Sequence, residues 1–266
     1  MHSFQYSRAK AVDDAIDLLK VDNEAKVISG GMSLLPAMKL RLAAPSALVD
    51  VTRIENMKGI AVDAAGVIRI GAATTHFTVN QSEILRARLP SLSDLAGGIG
   101  DVQVRYRGTI GGSLANNDPA ADYPSAALAL DATIITDRRR IKADDFFRGL
   151  FETALEPNEL IIAVEFPIPR RSVYLKFPNM ASRFAIAGVY LARFDKRVRL
   201  AVTGAMASVA RLTDYEQALE RDFSVSAIET LTIPDSACNN DVHASSGYRA
   251  HLVGVLAKRA VLACVE

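Results

Sequence analysis

The chain has no tryptophan and only two cysteines, Cys238 and Cys264, among its 266 residues. Neither cysteine sits in a Cys-x-x-Cys pair, and no cluster has metal-ligand spacing. By itself, then, the chain cannot offer an iron–sulfur cluster its usual four thiolates. Two thiols build no disulfide framework either, which suits a reducing compartment. An excess of charge is missing too: 31 basic side chains face 30 acidic ones, which implies no field for nucleic acid. No stretch approaches the roughly 20 apolar residues of a membrane span. Asp13, Asp14 and Asp17 interrupt the N-terminal segment where a signal sequence needs its apolar centre. A cytoplasmic protein is expected. The densest basic run, Arg138-Arg139-Arg140, reads as a solvated turn between strands, with a docking patch as the alternative.

Half of the residues are hydrophobic, enough for one large domain or two smaller ones. Ala11, Ala15, Leu18 and Leu19 recur at helical spacing over 11–20. Lys26-Val27-Ile28 reads as a strand running into Ser29-Gly30-Gly31, and LLPAMKLRL as a helix with Pro36 near its first turn. Val49–Val51 is a strand. Gly59–Val62 and Val67–Ile70 flank the turn 63–66 as a hairpin. Helical patterns cover Thr74–Leu89 and Leu92–Ile99. A glycine-rich loop at 108–112 precedes an Ala-rich helix from about Pro124, then strands at Thr133–Thr136 and Leu160–Phe166. Pro167 and Pro169, followed by Arg170-Arg171, mark a candidate boundary. Beyond it, Tyr174–Phe177, Ala185–Phe194 and Val198–Ser208 read as strands, and 214–221 and 247–264 as helices. Hairpins beside helices without regular alternation indicate an α+β fold.

Two glycine pairs stand out. Ser29-Gly30-Gly31-Met32-Ser33-Leu34 lies between a strand and a helix, where glycines let the backbone approach a ligand and present its N–H groups to a phosphate. Thr109-Ile110-Gly111-Gly112-Ser113 repeats the pattern about eighty positions later, with Asn116 following. Each pair alone reads as an ordinary turn; together they suggest one shared polyphosphate ligand. The chain contains no Gly-x-x-x-x-Gly-Lys-Ser/Thr, and Gln103 replaces the third glycine of a Gly-x-Gly-x-x-Gly motif at Gly98. Asp118 and Asp122 read as caps of the helix near Pro124 or as acceptors for ribose or ribityl hydroxyls. His2, His76, His243 and His251 are scattered, and none is assigned a catalytic role. His76 reads as a surface position at a helix start, with a place near the ligand as the alternative.

Together, SGGMSLLPAMKLRLAAPSALVDVTRI, RYRGTIGGSLANNDPAADYPS and EPNELIIAVEFPIP resemble the FAD-binding medium subunits of molybdenum hydroxylases of the xanthine dehydrogenase and carbon monoxide dehydrogenase type. KFPNMASRFAIAGV and GYRAHLVGVLAKRAV continue the resemblance. It implies a vanillyl-alcohol-oxidase (PCMH) type FAD-binding domain over 1–170, with two α+β subdomains at about 1–55 and 56–170. A small α+β domain of the carbon monoxide dehydrogenase flavoprotein type is implied over 171–266. The resemblance places Ser29, Gly30, Gly31, Met32, Ser33 and Leu34 around the FAD pyrophosphate, and Thr109, Ile110, Gly111, Gly112 and Ser113 near pyrophosphate and flavin. Ile99, Asn116, Asp122, Leu160 and Lys176 fall where that family contacts FAD. Phe184 falls where relatives carry a tyrosine beside the isoalloxazine ring.

The resemblance also implies partners: a small subunit with two [2Fe–2S] clusters, a large one with the molybdenum cofactor, and a dimer of heterotrimers. This chain would carry electrons through FAD to NAD⁺, oxygen or a quinone. A self-contained flavin oxidoreductase and an interaction subunit with a decayed FAD site are the rival readings. The first requires an acid–base constellation that the sequence does not show; the second draws on Met32. Met32 stands where His, Gln or Thr is common. A thioether is a weak acceptor and forms no histidyl–flavin bond, so FAD is expected to be non-covalent. Phe184 lacks a hydroxyl to donate to the ring. Arg183 replaces a common Asp, and its charge is expected to favour the reduced, anionic flavin. Redox titration of Arg183→Ala is therefore expected to give a lower flavin potential; an unchanged potential overturns this role.

Overall fold

The computed structural model describes residues 1–265. Its first part alternates strand and helix: β1 (Gln5–Arg8), α1 (Val12–Val21), β2 (Lys26–Ile28), α2 (Leu34–Lys39) and β3 (Ala47–Asp50). The strands form a parallel sheet in the order β1-β3-β2. β1 carries no apolar alternation, so the sequence pattern gives no sign of it. The first glycine segment leaves the carboxyl end of β2, the edge of a parallel sheet where ligands bind.

A five-stranded antiparallel sheet follows, in the order β4-β5-β10-β6-β7. The hairpin of β4 (Ile60–Val62) and β5 (Ile68–Gly71) opens it. Next come α3 (His76–Gln81), α4 (Glu83–Arg88), α5 (Pro90–Gly97), α6 (Val102–Arg107), α7 (Ile110–Asn116) and α8 (Tyr123–Ala129). β6 (Thr133–Thr136), β7 (Arg140–Lys142), α9 (Ala143–Phe146), the small hairpin β8 (Phe147–Gly149) and β9 (Glu152–Thr153), and β10 (Ile161–Phe166) complete this region. The three arginines occupy the β6–β7 turn and its edge, where they pair with Glu156, Glu159 and Glu165.

Three local readings change. The helix expected over Thr74–Leu89 is two helices, because Ser82 is extended (φ −67°, ψ 118°) and its hydroxyl caps α4 by accepting from Leu85 N. α6, absent from the sequence reading, is capped by Asp101, whose carboxylate accepts from Val104 N at 2.8 Å. The segment expected as a glycine-rich loop contains helix α7, with Gly111 and Gly112 in its first turn.

The last sheet is antiparallel, β11-β12-β13-β14, built from β11 (Arg171–Pro178), β12 (Ala185–Arg193), β13 (Val198–Thr203) and β14 (Ala210–Arg211). α10 (Thr213–Arg221) and α11 (Ser246–Val265) close the described chain. Side chains alternate across a strand, and β12 uses both faces. Ala187, Val189 and Leu191 pack with Leu219, Val253, Ala257 and Val261 of α10 and α11. Tyr190 and Ala192 belong instead to the core shared by the first two sheets and α5 and α8.

Buried charge ties this sheet to α8 and α9. The Arg199 side chain is 5% exposed; it donates to Leu128 O at 2.8 Å and pairs with Asp131 at 3.4 Å and Asp144 at 2.5 Å. Arg197 and Arg211 join the same two carboxylates from the surface. Removing one member of a buried ionic group leaves the others uncompensated. Arg199→Met is therefore expected to destabilise the fold by about 3 kcal/mol, read as a lower urea midpoint; an unchanged midpoint shows that the network adds nothing.

Candidate functional site

Ser29–Ser33 connects β2 to α2. Gly31 adopts φ +73°, a left-handed conformation that costs glycine nothing. A Cβ on Gly30 would lie 2.3 Å from Arg107 O and 2.6 Å from Gly108 Cα, so only glycine lets these backbones touch. Across the same contact the Thr109 hydroxyl donates to Ser29 Oγ at 3.0 Å. The two glycine segments, 80 positions apart, therefore meet.

They bring different things to it. The backbone N–H groups of Gly30, Gly31, Met32 and Ser33 find no acceptor within the described chain, and Met32 and Ser33 are exposed. In the second segment the amides are already engaged. Ile110 N donates to Thr74 O, Gly111 N to Ala72 O at 2.9 Å, Gly112 N to Thr109 Oγ1 and Ser113 N to Thr109 O. The expectation that both segments offer amides to a phosphate is corrected here: only the first has them free. Gly111 instead makes room, because a Cβ there would meet Ala72 at 2.5 Å. Exposed Gly112 presents bare backbone on the outer side of α7.

A second group lies at the other end of α6. Lys176 Nζ donates to Gly98 O at 3.0 Å and pairs with Asp122 at 2.9 Å. Arg105 donates to Ile99 O and Gly100 O, so the backbone 98–100 is held from both sides. Asp122 is buried, and burial pushes its carboxyl above the ordinary range while Lys176 and the Tyr174 hydroxyl pull the other way. Neither aspartate caps a helix as expected. Asp122 stands at the α8 N-cap position but points to Tyr174 and Lys176, and Asp118 accepts from Ala120 N. The strap carrying them is docked onto the last sheet, with Thr203 Oγ1 donating to Pro119 O and Ala121 O and Gly204 N to Pro119 O.

Asn116 is half-buried at the end of α7. Leu34 starts α2, where Leu35 N donates to Gly31 O. Leu160 is 3% exposed within the main core, its backbone paired with Asp137; no hydrogen bond joins it to either group. Phe184 is 47% exposed on the β11–β12 connection, next to Ala185, whose N–H donates to Ala120 O. Sequence reasoning missed Arg107-Gly108, the backbone that Gly30 touches, and Tyr174. The spacing of Tyr174 and Lys176 on one face of a strand carried a signal for the latter.

A family model described as the FAD binding domain in molybdopterin dehydrogenase matches residues 2–169. The chain belongs to this family. It is 33% identical over 274 residues to the nicotine 6-hydroxylase medium subunit of Paenarthrobacter nicotinovorans, covering 98% of this chain and 96% of the relative. Identity is also 33% to the carbon monoxide dehydrogenase medium chain of Hydrogenophaga pseudoflava, with 97% and 96% covered. Carbon monoxide dehydrogenase from Hydrogenophaga pseudoflava, solved without the Mo-pyranopterin moiety, superposes with TM-score 0.89 at 32% identity over 99% of this chain and 98% of that one. Quinoline 2-oxidoreductase from Pseudomonas putida 86 gives TM-score 0.89 at 26% identity, covering 99% and 97%. The fold is thus that of the FAD-binding medium subunits of molybdenum hydroxylases, which are oxidoreductases. The site chemistry fits the cofactor: free amides beside a glycine contact suit a diphosphate. Among the described residues no group of His, Cys, Asp and Glu is gathered for a metal ion, and no helix is long and apolar enough to cross a membrane.

His76, expected at the surface, is 5% exposed. Its backbone N–H donates to Gly108 O at 2.9 Å, and its ring lies 5.3 Å from that of Tyr123. Neither His76 Nδ1 nor the Tyr123 hydroxyl has a partner. Burial, with the Arg105 charge second, pushes the imidazole down to about 4 from 6.5. A depressed pKa stabilises the fold fully above the unfolded value and loses that contribution as pH falls towards the folded one. Stability is therefore expected to drop by about 3 kcal/mol between neutral pH and pH 4 on account of His76. In urea titrations at several pH values His76→Gln should flatten that decline; an equal decline in both proteins overturns the assignment.

Proposed function

We propose that this chain carries electrons between subunits of a molybdenum hydroxylase. A small partner with [2Fe–2S] clusters supplies them, a large partner with molybdopterin generates them from substrate, and a terminal acceptor receives them, in a dimer of heterotrimers. FAD, when bound, supplies a two-electron store that can be filled one electron at a time. The observation that carries the reading is the contact of Gly30 with Arg107-Gly108, which sets four acceptor-free amides where the two glycine segments meet.

Each residue then has a task. The amides of Gly30, Gly31, Met32 and Ser33 bind the diphosphate, with the Ser29 and Thr109 hydroxyls clamping the segments together. Gly111, Gly112 and Ser113 let the cofactor lie along α7 towards Asn116. Ile99, Asp122 and Lys176 bound the far side, and Phe184 covers the ring. Met32 offers no imidazole, so the cofactor is held without a covalent bond. Residues 1–170 form the FAD-binding domain and 171–266 the smaller C-terminal domain, supported by the separate core that β12 builds with α10 and α11.

The full chain, purified in its native complex, is expected to carry one FAD per chain, released by denaturation, together with molybdenum and iron on co-purifying subunits. Gly30→Ala is expected to weaken FAD binding by about 10- to 100-fold, because overpacking costs about 1–3 kcal/mol. A wild-type complex without flavin overturns the proposal.

A further inference from the structure

Lys176 on β11 faces Gly188 on β12, and Tyr174 faces Tyr190. A Cβ on Gly188 would lie 2.6 Å from the Tyr174 hydroxyl oxygen and 2.9 Å from Thr203 Cγ2. The phenol therefore occupies the space that a side chain at 188 would need. Its hydroxyl donates to Asp122 Oδ1, and its ring packs on that of Tyr190, with centroids 5.8 Å apart. Tyr190 is itself fixed, its hydroxyl sharing a hydrogen bond with Ser91 Oγ at 2.6 Å. Asp122, 4% exposed, thus has one donor anchored in the core and one long, flexible donor, Lys176. The lysine side chain is 11% exposed, and its other acceptor is Gly98 O.

We propose that Tyr174, admitted by Gly188, is a positioning residue: it holds the Asp122 carboxylate so that the Lys176 ammonium is aimed at the Gly98-Ile99 edge of the cofactor cleft. The inference rests on the functional reading above for what lies in that cleft, but the placement itself is a property of the chain. A carboxylate bonded to Lys176 alone would be free to rotate with it, and the ammonium would lose its fixed direction. With Tyr174 bonded, the carboxylate plane is set by the last sheet and the lysine has one orientation. The Tyr-x-Lys pair opposite a glycine is the sequence signature of this arrangement.

The test is acylation of the full chain by an N-hydroxysuccinimide ester, read per lysine by peptide mass spectrometry with the exposed Lys20 as internal reference. In wild type Lys176 is expected to react slowly. Tyr174→Phe removes only the hydroxyl and should raise the Lys176-to-Lys20 ratio about tenfold, as for one lost hydrogen bond to a charged group. Gly188→Ala, whose Cβ needs the space of the Tyr174 hydroxyl but leaves Asp122 and Lys176 intact, should do the same, and decides the matter if Tyr174→Phe does not fold. A purely structural role for Tyr174 would lower the unfolding midpoint and raise all lysines together, leaving the ratio unchanged. FAD titration of the same proteins should show affinity about tenfold weaker in Tyr174→Phe. A ratio within twofold of wild type in both folded variants overturns the inference. A wild-type chain that binds no FAD overturns the functional reading instead, with the labelling result still standing.

Discussion

Where Gly30 touches Arg107 O and Gly108 Cα, two stretches of main chain lie closer than any side chain would allow. The contact joins the parallel N-terminal sheet to the helical region that follows β5, so the relative placement of the two depends on the absence of one methyl group. The approach is reinforced from behind. Gly108 has His76 Nε2 within 2.5 Å of where its Cβ would be, and Gly111 has Ala72 at 2.5 Å. Gly30 thus brings the end of β2 against the end of α6, Gly108 lets the His76 ring close behind it, and Gly111 brings α7 against the chain just after β5. Hydrogen bonds from His76 N to Gly108 O and from Ile110 N to Thr74 O stitch these segments together. With its N–H donors engaged in this way, the second segment has none to offer, and the first is left with its donors free.

The other half of the site depends on the last sheet. β12 is apolar on both faces because it is covered on both, by α10 and α11 on one side and by α5 and α8 on the other. A strand buried in this way reads as an unbroken apolar run, and it is a stiff support. The strap 119–121 hangs from its edge through Thr203, Gly204 and Ala185, and Asp122 follows immediately. The carboxylate facing Lys176 is therefore located by a different layer from the one that locates Gly30, and α6 spans the interval between them.

How much of this was legible in the sequence follows from where local preference and tertiary contact agree. The β12–β13 hairpin and α1, α10 and α11 were readable because apolar periodicity alone decides them. The glycine pairs were readable as close-approach points, since glycine in that context has few other uses. Their conformations were not. Gly-Gly opposes a helix by about 1 kcal/mol per residue, yet Gly111 and Gly112 are helical because Thr109 caps the turn and Ala72 leaves no room for anything larger. α6 was hidden for a related reason: Val102 and Val104 alternate with Gln103 and Arg105 as in a strand, while the Asp101 cap three residues before Val104 decides for a helix. His76 looked like a surface residue because it follows two threonines; only the fold places Tyr123 and Gly108 over it.

The division of labour between the two glycine segments also explains why their similarity misleads. Repeated sequence suggests repeated function, and two phosphate cradles would follow. Yet a diphosphate held by amides from both sides would require both segments to leave their N–H groups unpaired, and an unpaired buried N–H is costly whenever the ligand is away. The exposed run Met32-Ser33 can keep free donors because water satisfies them between binding events. Gly111, buried against Ala72, has no such access, and its amide must be paired within the fold. Burial thus grades the roles along the chain: buried Gly30 and Gly111 supply close approach, while the donors that water can reach lie beyond Gly30, at exposed Met32 and Ser33.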